Sequence, residues 1–234
     1  MKILSLDTSA TVASVAIAED RTPLAEYTLN AKNTHSETLL PMIEAALKAL
    51  SLKPCDIDLF ALSAGPGSFT GVRIGAATVK GLAFASNKPC IEISTLEALA
   101  QNLVIKEGLI CPVMNARRSQ VYTALFKSDG KTLTRLMPDS ALSIEELDDL
   151  LLQYGEAVAL VGDGYDICKQ GFSKTELCYV PEAMRLQSAL SVAAIALKKY
   201  ESGEVSTDSA LSVNYLRPSQ AERERAEREA NKNN

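Results

Sequence analysis

The chain predicts an α/β fold in which one unit, βββαβαβα, is used twice in succession. Three observations point to it. Strand-like apolar runs come in threes, at residues 2–7, 12–18 and 23–30 and again at 110–115, 120–127 and 131–137. A helical period follows each triplet, at 35–50 and at 143–152, and an apolar strand follows each helix, at 59–63 and 157–161. With 234 residues the chain is long enough for two such units of about 100 residues each. The expected lobes are 1–104 and 105–218, and 219–234 forms a separate polar tail.

The elements follow in order. Residues 2–7 (KILSLD) and 12–18 (VASVAIA) read as strands joined by a turn at 8–11, and 23–30 (PLAEYTLN) alternates as a third. In 35–50, Leu39, Leu40, Ile43, Leu47 and Leu50 fall on a helical period. Thr34 or Ser36 caps it, and Pro41 is tolerable only near its first turn. The run 59–63 (LFALS) is a buried strand, 90–94 (CIEIS) a shorter one, and Thr95 caps a helix to about residue 104. In the second half, 128–130 is a hairpin turn, and Ser143 with Glu146 forms a capping box. The strand 157–161 ends in Gly162-Asp163-Gly164; a weak segment, a short strand at 177–180 and a long apolar helix at 188–200 follow. Residues 219–234 (SQAERERAEREANKNN) are polar almost throughout and predict a solvated or unfolded tail.

The rest of the chain is organised around 64–86 (AGPGSFTGVRIGAATVKGLAFAS). It turns on Gly65, Pro66 and Gly67, and becomes a helix near Thr70. Neither known phosphate pattern fits. The third glycine of a dinucleotide fingerprint is due at Thr70 and arrives at Gly71, and no Gly-Lys-Ser or Gly-Lys-Thr follows. Close backbone packing is therefore the leading role for these glycines, with a generic anion site at the helix start as the alternative. The helix itself is small and apolar nearly all round, with only Arg73 and Lys80 charged. Such a helix is buried on more than one side: one side covers its own sheet and the other needs a partner. Gly71, Gly75 and Thr78 share one stripe, and Val72, Ala76, Val79 and Ala83 share the next. The expected partner face is Gly71, Val72, Gly75, Thr78, Val79 and Leu82, with Leu39 and Ile43 from the helix at 35–50. An isolated chain should self-associate through that face.

Composition narrows the function. The chain is 47% hydrophobic and 23% charged, as an ordinary soluble protein is. A net charge of −5 argues against holding nucleic acid through its overall field. Cys55, Cys90, Cys111, Cys168 and Cys178 are odd in number, far apart and without a CxxC pair, which reads as reduced thiols with no metal knuckle. Asp7 interrupts the apolar run near the start, so no signal or membrane span is expected and the expected compartment is the cytoplasm.

A twice-used βββαβαβα unit is the architecture of the actin and sugar-kinase class, the actin-like ATPase or ribonuclease H-like fold. Those proteins clamp ATP between two lobes with a loop after the first strand of each. Here the first loop is Asp7-Thr8-Ser9, an acid able to hold a metal-bound water followed by two hydroxyls, without a glycine. The second is Met114-Asn115-Ala116-Arg117-Arg118, with Asn in place of a carboxylate. Gly162-Asp163-Gly164 could pass for an adenosine loop. The residues expected nearest any nucleotide are Asp7, Thr8, Gly67, Arg73 and Arg117, and a small-molecule kinase or ATPase using Asp7 is the enzyme alternative. The single histidine, His35, can build neither a two-histidine metal site nor a well-placed triad.

Five stretches carry a resemblance over nearly the whole chain: ILSLDTSATVASVAI, THSETLLPMI, AGPGSFTGVRIG, NARRSQVY and VNYLRPSQAER. They resemble the TsaB family, also called YeaZ. The resemblance implies a non-catalytic paralogue of TsaD that pairs with it and, with the ATPase TsaE, supports threonylcarbamoyl transfer to the adenosine beside the anticodon of tRNAs reading ANN codons. It implies no catalytic residue and no metal or cofactor of the chain's own. Any ATP or ADP would sit at the junction with TsaD and tRNA would be met only through the complex; the self-association expected of the apolar helix would give a homodimer of the isolated chain. One departure is Asn115, where the family usually has Asp before Ala-Arg-Arg. A peptidase reading finds no triad and no zinc ligands to support it.

Overall fold

A computed structural model describes residues 1–31 and 34–217; the tail expected at 219–234 lies outside them. Two five-stranded sheets form. In the first, β1 (Lys2–Asp7), β2 (Ala13–Glu19), β3 (Thr22–Leu29), β4 (Leu59–Ser63) and β5 (Cys90–Ile93) lie in the order β3-β2-β1-β4-β5. In the second, β6 (Gly108–Asn115), β7 (Gln120–Ser128), β8 (Leu133–Ser143), β9 (Val158–Val161) and β10 (Leu177–Cys178) lie in the order β10-β9-β6-β7-β8. Read from its meander side, the second order is the first. β1–β2 and β2–β3 are antiparallel and β1–β4 and β4–β5 parallel, and the same pairings recur as β6–β7, β7–β8, β6–β9 and β9–β10. The repeat expected from element order is therefore a repeat of topology. Where the strands are parallel they are covered on both faces, and every residue of β4 (LFALS) and β9 (VALV) is buried.

Six helices complete the described chain: α1 (His35–Ala49), α2 (Phe69–Ser86), α3 (Thr95–Gln101), α4 (Ile144–Leu152), α5 (Tyr165–Gly171) and α6 (Ala189–Glu201). Their caps correct several expectations by one or two residues. Ser68 Oγ accepts from Gly71 N at 3.3 Å, so α2 starts at Phe69. Ser94, not Thr95, caps α3 through Glu97 N, and that helix ends at Gln101. At α4 the expected box is present: Ser143 Oγ accepts from Glu146 N, and Ser143 N donates to Glu146 Oε2 at 2.8 Å. Pro41 lies well inside α1 rather than in its first turn, on an exposed side where losing one N–H donor leaves no buried group unpaired. The segment read as weak after Gly164 is the helix α5.

Two helices pack across the boundary expected at residue 104. Leu96, Leu99, Ala100 and Leu103 on and after α3 pack in the core of the second sheet with Ile110, Val113, Phe126 and Leu160. Val192, Ala193, Ile195 and Ala196 of α6 pack on the first sheet with Ile3, Leu59, Ala61 and Ile91. The last helix of each half thus crosses to the other half's sheet. Each sheet takes part of its apolar cover from the other half of the chain. The crossing helices meet: Ser191 Oγ donates to Asn102 Oδ1 at 2.7 Å, and Asn102 Nδ2 donates to Leu186 O at 2.7 Å.

One polar anchor of the second lobe gives a direct test. Burial of Asp148, 3% exposed on α4, would raise its carboxyl, but the amides of Ser173, Lys174 and Thr175 donate to it at 2.8, 3.1 and 3.0 Å and hold it below the ordinary range. A depressed folded-state value means stability that is present above the unfolded value and is lost as pH falls below about 4. Asp148→Ala should therefore cost about 3 kcal/mol near pH 7, and the gap from the wild type should narrow toward pH 3. Urea unfolding at the two pH values measures it, and a gap that stays constant would refute the assignment.

Candidate functional site

Between the lobes lies a cleft of about 710 Å³ whose lining comes from both halves. Ser9–Thr11 after β1 and Pro66–Thr70, the turn and first residues of α2, line it from the first lobe; Met114–Arg117, Tyr122 and Asp163 line it from the second; Asn214–Arg217 close it. Of the residues expected nearest a nucleotide, Gly67 and Arg117 line this cleft. Asp7 and Thr8 do not; they are 1% and 0% exposed, beneath its floor. Arg73 does not line it either: its guanidinium stacks 3.8 Å from the Phe69 ring centroid, and its Nε donates to Tyr215 Oη at 2.8 Å.

Asp7 is fully occupied. Its Oδ1 accepts from Ser9 N at 2.8 Å and Ser9 Oγ at 2.6 Å, and its Oδ2 accepts from Ser63 Oγ at 2.5 Å. Burial pushes its carboxyl above the ordinary range although all three donors pull the other way. A carboxyl so enclosed ties β1 to β4. Asp163 also lines the cleft and keeps an exposed side chain there; Asn115 N donates to its Oδ1 at 3.2 Å, and desolvation with the Asp7 charge raises its carboxyl. Among the described residues no three His, Cys, Asp or Glu side chains gather as a metal site.

The glycine turn is filled by the chain itself. Ser68 N donates to Ser9 O at 2.6 Å, a Cβ on Gly67 would stand 2.9 Å from Ser9 Cβ, and a Cβ on Gly65 would strike the Asn214 carbonyl. Close packing, the leading expectation, is what these glycines do. In the second loop, Arg117, Arg118 and Ser119 adopt φ of +63, +54 and +54°, a left-handed run with no glycine to ease it. Asn115 Oδ1 accepts from Arg117 N at 2.8 Å and starts that run, a role an aspartate would fill equally. His35 Nε2 donates to Ala10 O at 2.7 Å, which makes the lone histidine a strut between α1 and the first loop.

The expected partner face is largely internal. Leu39, Ile43, Val72 and Val79 are at most 2% exposed, and Gly71 and Gly75 are buried too. Gly71 lies against the Thr8 carbonyl, and a Cβ on Gly75 would meet Thr8 Oγ1 at 2.6 Å and Leu6 Cδ1 at 3.0 Å. Both stripes named from the sequence turn inward, because β1 and its loop fill one and the sheet the other. Thr78 and Leu82 stay half-buried. The outward stripe is Arg73, Ala77, Gly81, Phe84 and Ala85, with Phe84 75% exposed, and α1 beside it exposes Leu40. The sequence reading also missed Phe69, Tyr122, Tyr215 and Arg217 on and around the cleft. The signal for Tyr215 and Arg217 is the aromatic and arginine pairing in VNYLRP; Phe69 and Tyr122 carry no comparable local signal.

Comparison with known proteins bears on this geometry. A family model, tRNA N6-adenosine threonylcarbamoyltransferase (TsaD), matches residues 24–226. The tRNA threonylcarbamoyladenosine biosynthesis protein TsaB of Bacillus subtilis is 34% identical over 170 residues, which is 73% of this chain and 74% of that one. A crystal structure from Pseudomonas aeruginosa, of a protein described as similar to peptidase YeaZ, superposes with TM-score 0.80 at 25% identity, covering 92% of this chain and 99% of that chain. The activator of 2-hydroxyisocaproyl-CoA dehydratase from Clostridium difficile, with bound ADPNP, matches with TM-score 0.50 at 13% identity over 87% of this chain and 97% of that one, a likeness of fold alone. The fold is the actin-like one expected from the element order.

Two outcomes follow from the site's geometry. A raised folded-state carboxyl at Asp7 takes up a proton that the unfolded chain gives up near pH 4, so its contribution to stability falls as pH rises through the raised value. Asp7→Asn lacks that proton linkage, and its stability relative to the wild type should improve as pH rises above about 4 in urea unfolding; a flat difference would refute the raised carboxyl. Gly75→Glu must displace Thr8 and Leu6 and should cost more than about 4 kcal/mol, seen as loss of the folded circular-dichroism signal rather than as a selective binding defect.

Proposed function

The chain belongs to the TsaB (YeaZ) branch of the tRNA N6-adenosine threonylcarbamoyltransferase family, and from that premise we propose that it is a scaffold and activator rather than the enzyme of threonylcarbamoyladenosine synthesis in tRNA. Its direct partner is TsaD, and TsaE joins the pair. tRNA is met only through that complex, in the cytoplasm, and any ATP or ADP sits at the junction with TsaD rather than on a site of this chain's own. The isolated chain pairs with itself through the surface that otherwise takes TsaD.

The observation that carries the reading is the outward stripe of α2. Ala77, Gly81 and Ala85 let a second backbone approach closely beside Phe84, whose burial is worth about 2 kcal/mol. An exposed apolar strip of this kind on a packed lobe marks an interface. Because this chain and TsaD share a family, like helices can meet like helices across a pseudo-two-fold axis. The scaffold role is supported by Asp7, whose two oxygens accept from three donors of its own lobe beneath the cleft floor. The described helices include none long and apolar enough to cross a membrane.

Gly81 is the position that tests docking without touching the core, since a Cβ there meets nothing within 4 Å. Gly81→Glu should fold normally yet weaken TsaD binding and self-association by about 3–5 kcal/mol, the cost of an unpaired charge buried at an interface. Light scattering after size exclusion, with circular dichroism alongside, reads both; undiminished TsaD binding by the folded variant would overturn the docking face. Loss of threonylcarbamoyladenosine from tRNA on deletion of the gene, read by mass spectrometry, tests the pathway. Steady ATP turnover by the chain alone that Asp7→Asn abolishes would favour the kinase.

A further inference from the structure

After α6 the chain turns back and reaches both lobes. Ser206 pairs with Cys90 at the edge of the first sheet, and Leu211 and Val213 pack into the first lobe's core. Asn214 N then donates to Ala64 O at 2.8 Å, with the Asn214 carbonyl in the space left open at Gly65. The Tyr215 ring lies 4.7 Å from the Phe69 centroid, and its hydroxyl accepts from Arg73. Two residues further, the chain has crossed to the second lobe. Arg217 donates to Gln120 Oε1, and its guanidinium stands 6.0 Å from the Tyr122 ring centroid, both residues being on β7. All four residues of 214–217 line the cleft. The crossing helices α3 and α6 provide a pivot between the lobes; this segment spans the opening.

We propose that residues 214–217 are a clasp that sets the angle between the lobes, and with it the width of the cleft, and that the clasp is coupled to the docking stripe of α2. The coupling comes through Arg73. It holds Tyr215, and it stands one turn before Ala77 and two before Gly81 on the same outward stripe. Whatever steadies that stripe by docking on it also steadies the clasp's first-lobe anchor, and by linkage a closed clasp strengthens docking by the same factor. The coupling rests on the docking face proposed above; the clasp does not.

The test uses the full chain with Cys55→Ser and spin labels on Lys48→Cys in α1 and Glu145→Cys in α4, both exposed positions, one on each lobe. Pulsed electron resonance should give one narrow distance population. Arg217→Ala and Gln120→Ala each cut the second-lobe anchor from opposite ends, and either should broaden the distribution about twofold or move it outward. Tyr215→Phe, which removes only the hydroxyl that Arg73 holds, should do so more weakly and keeps the test open if a larger change fails to fold. Neither Arg217 nor Gln120 lies on the docking helix, yet Arg217→Ala should weaken TsaD binding about five- to tenfold. Unchanged distances in the folded variants would overturn the clasp. Changed distances with unchanged TsaD affinity would overturn the coupling. If TsaD fails to bind the wild-type chain, the docking reading falls while the distances still decide the clasp.

Discussion

The fit of α2 onto the loop after β1 is the contact on which the rest of the molecule depends. Thr8 Oγ1 donates to Gly71 O at 2.8 Å, Ser68 N donates to Ser9 O at 2.6 Å, and Gly71 and Gly75 have no Cβ to hold the helix off. This approach seats eighteen helical residues against β1 and β4 and so decides their rotation. With Gly71 and Gly75 inward, Val72, Ala76 and Val79 are carried into the core, and Arg73, Ala77, Gly81 and Phe84 are carried out. The outward stripe is therefore a consequence of packing on the opposite side of the same helix.

The same loop is filled by the chain's own groups. Where a phosphate would need backbone amides free around a glycine turn, the amide of Ser68 is bonded to Ser9 and the turn itself is packed by Asn214. Where an acid would need an open face, Asp7 has spent its oxygens on Ser9 and Ser63. Groups that stay polar but are satisfied internally give rigidity, since each buried donor left unpaired would cost about 1–3 kcal/mol. The first lobe reads as a platform built from the parts of a clamp.

The exchange of α3 and α6 makes the two lobes one cooperative body. Each sheet is covered on one face by a helix from the other half, so the cores around Phe126 and around Ile3 both depend on both halves of the chain. The connection that would otherwise be a loose tether becomes a packed pivot, and a short clasp at the cleft mouth is then enough to fix the remaining freedom.

Much of the fold was legible in the sequence because it is encoded locally. Alternation and helical period, the Ser143–Glu146 box and the glycines at 65 and 67 are properties of neighbouring residues, and strands, helix and tight turn stand where those signals put them. Near misses at Ser68, Ser94 and Pro41 arose where several residues could serve the same local need. What the sequence left undecided were choices between equals. α2 carries two adjacent small and apolar stripes, and which of them faces inward depends on Thr8 and Leu6, more than sixty residues away in sequence. Whether Asp7 is open or enclosed depends on Ser63 across the sheet, and whether α3 covers its own sheet or the other depends on how the halves pack. The sequence by itself determined the elements and their order, α5 excepted; tertiary packing decided which surfaces are left over, because a buried face is defined by what comes to cover it.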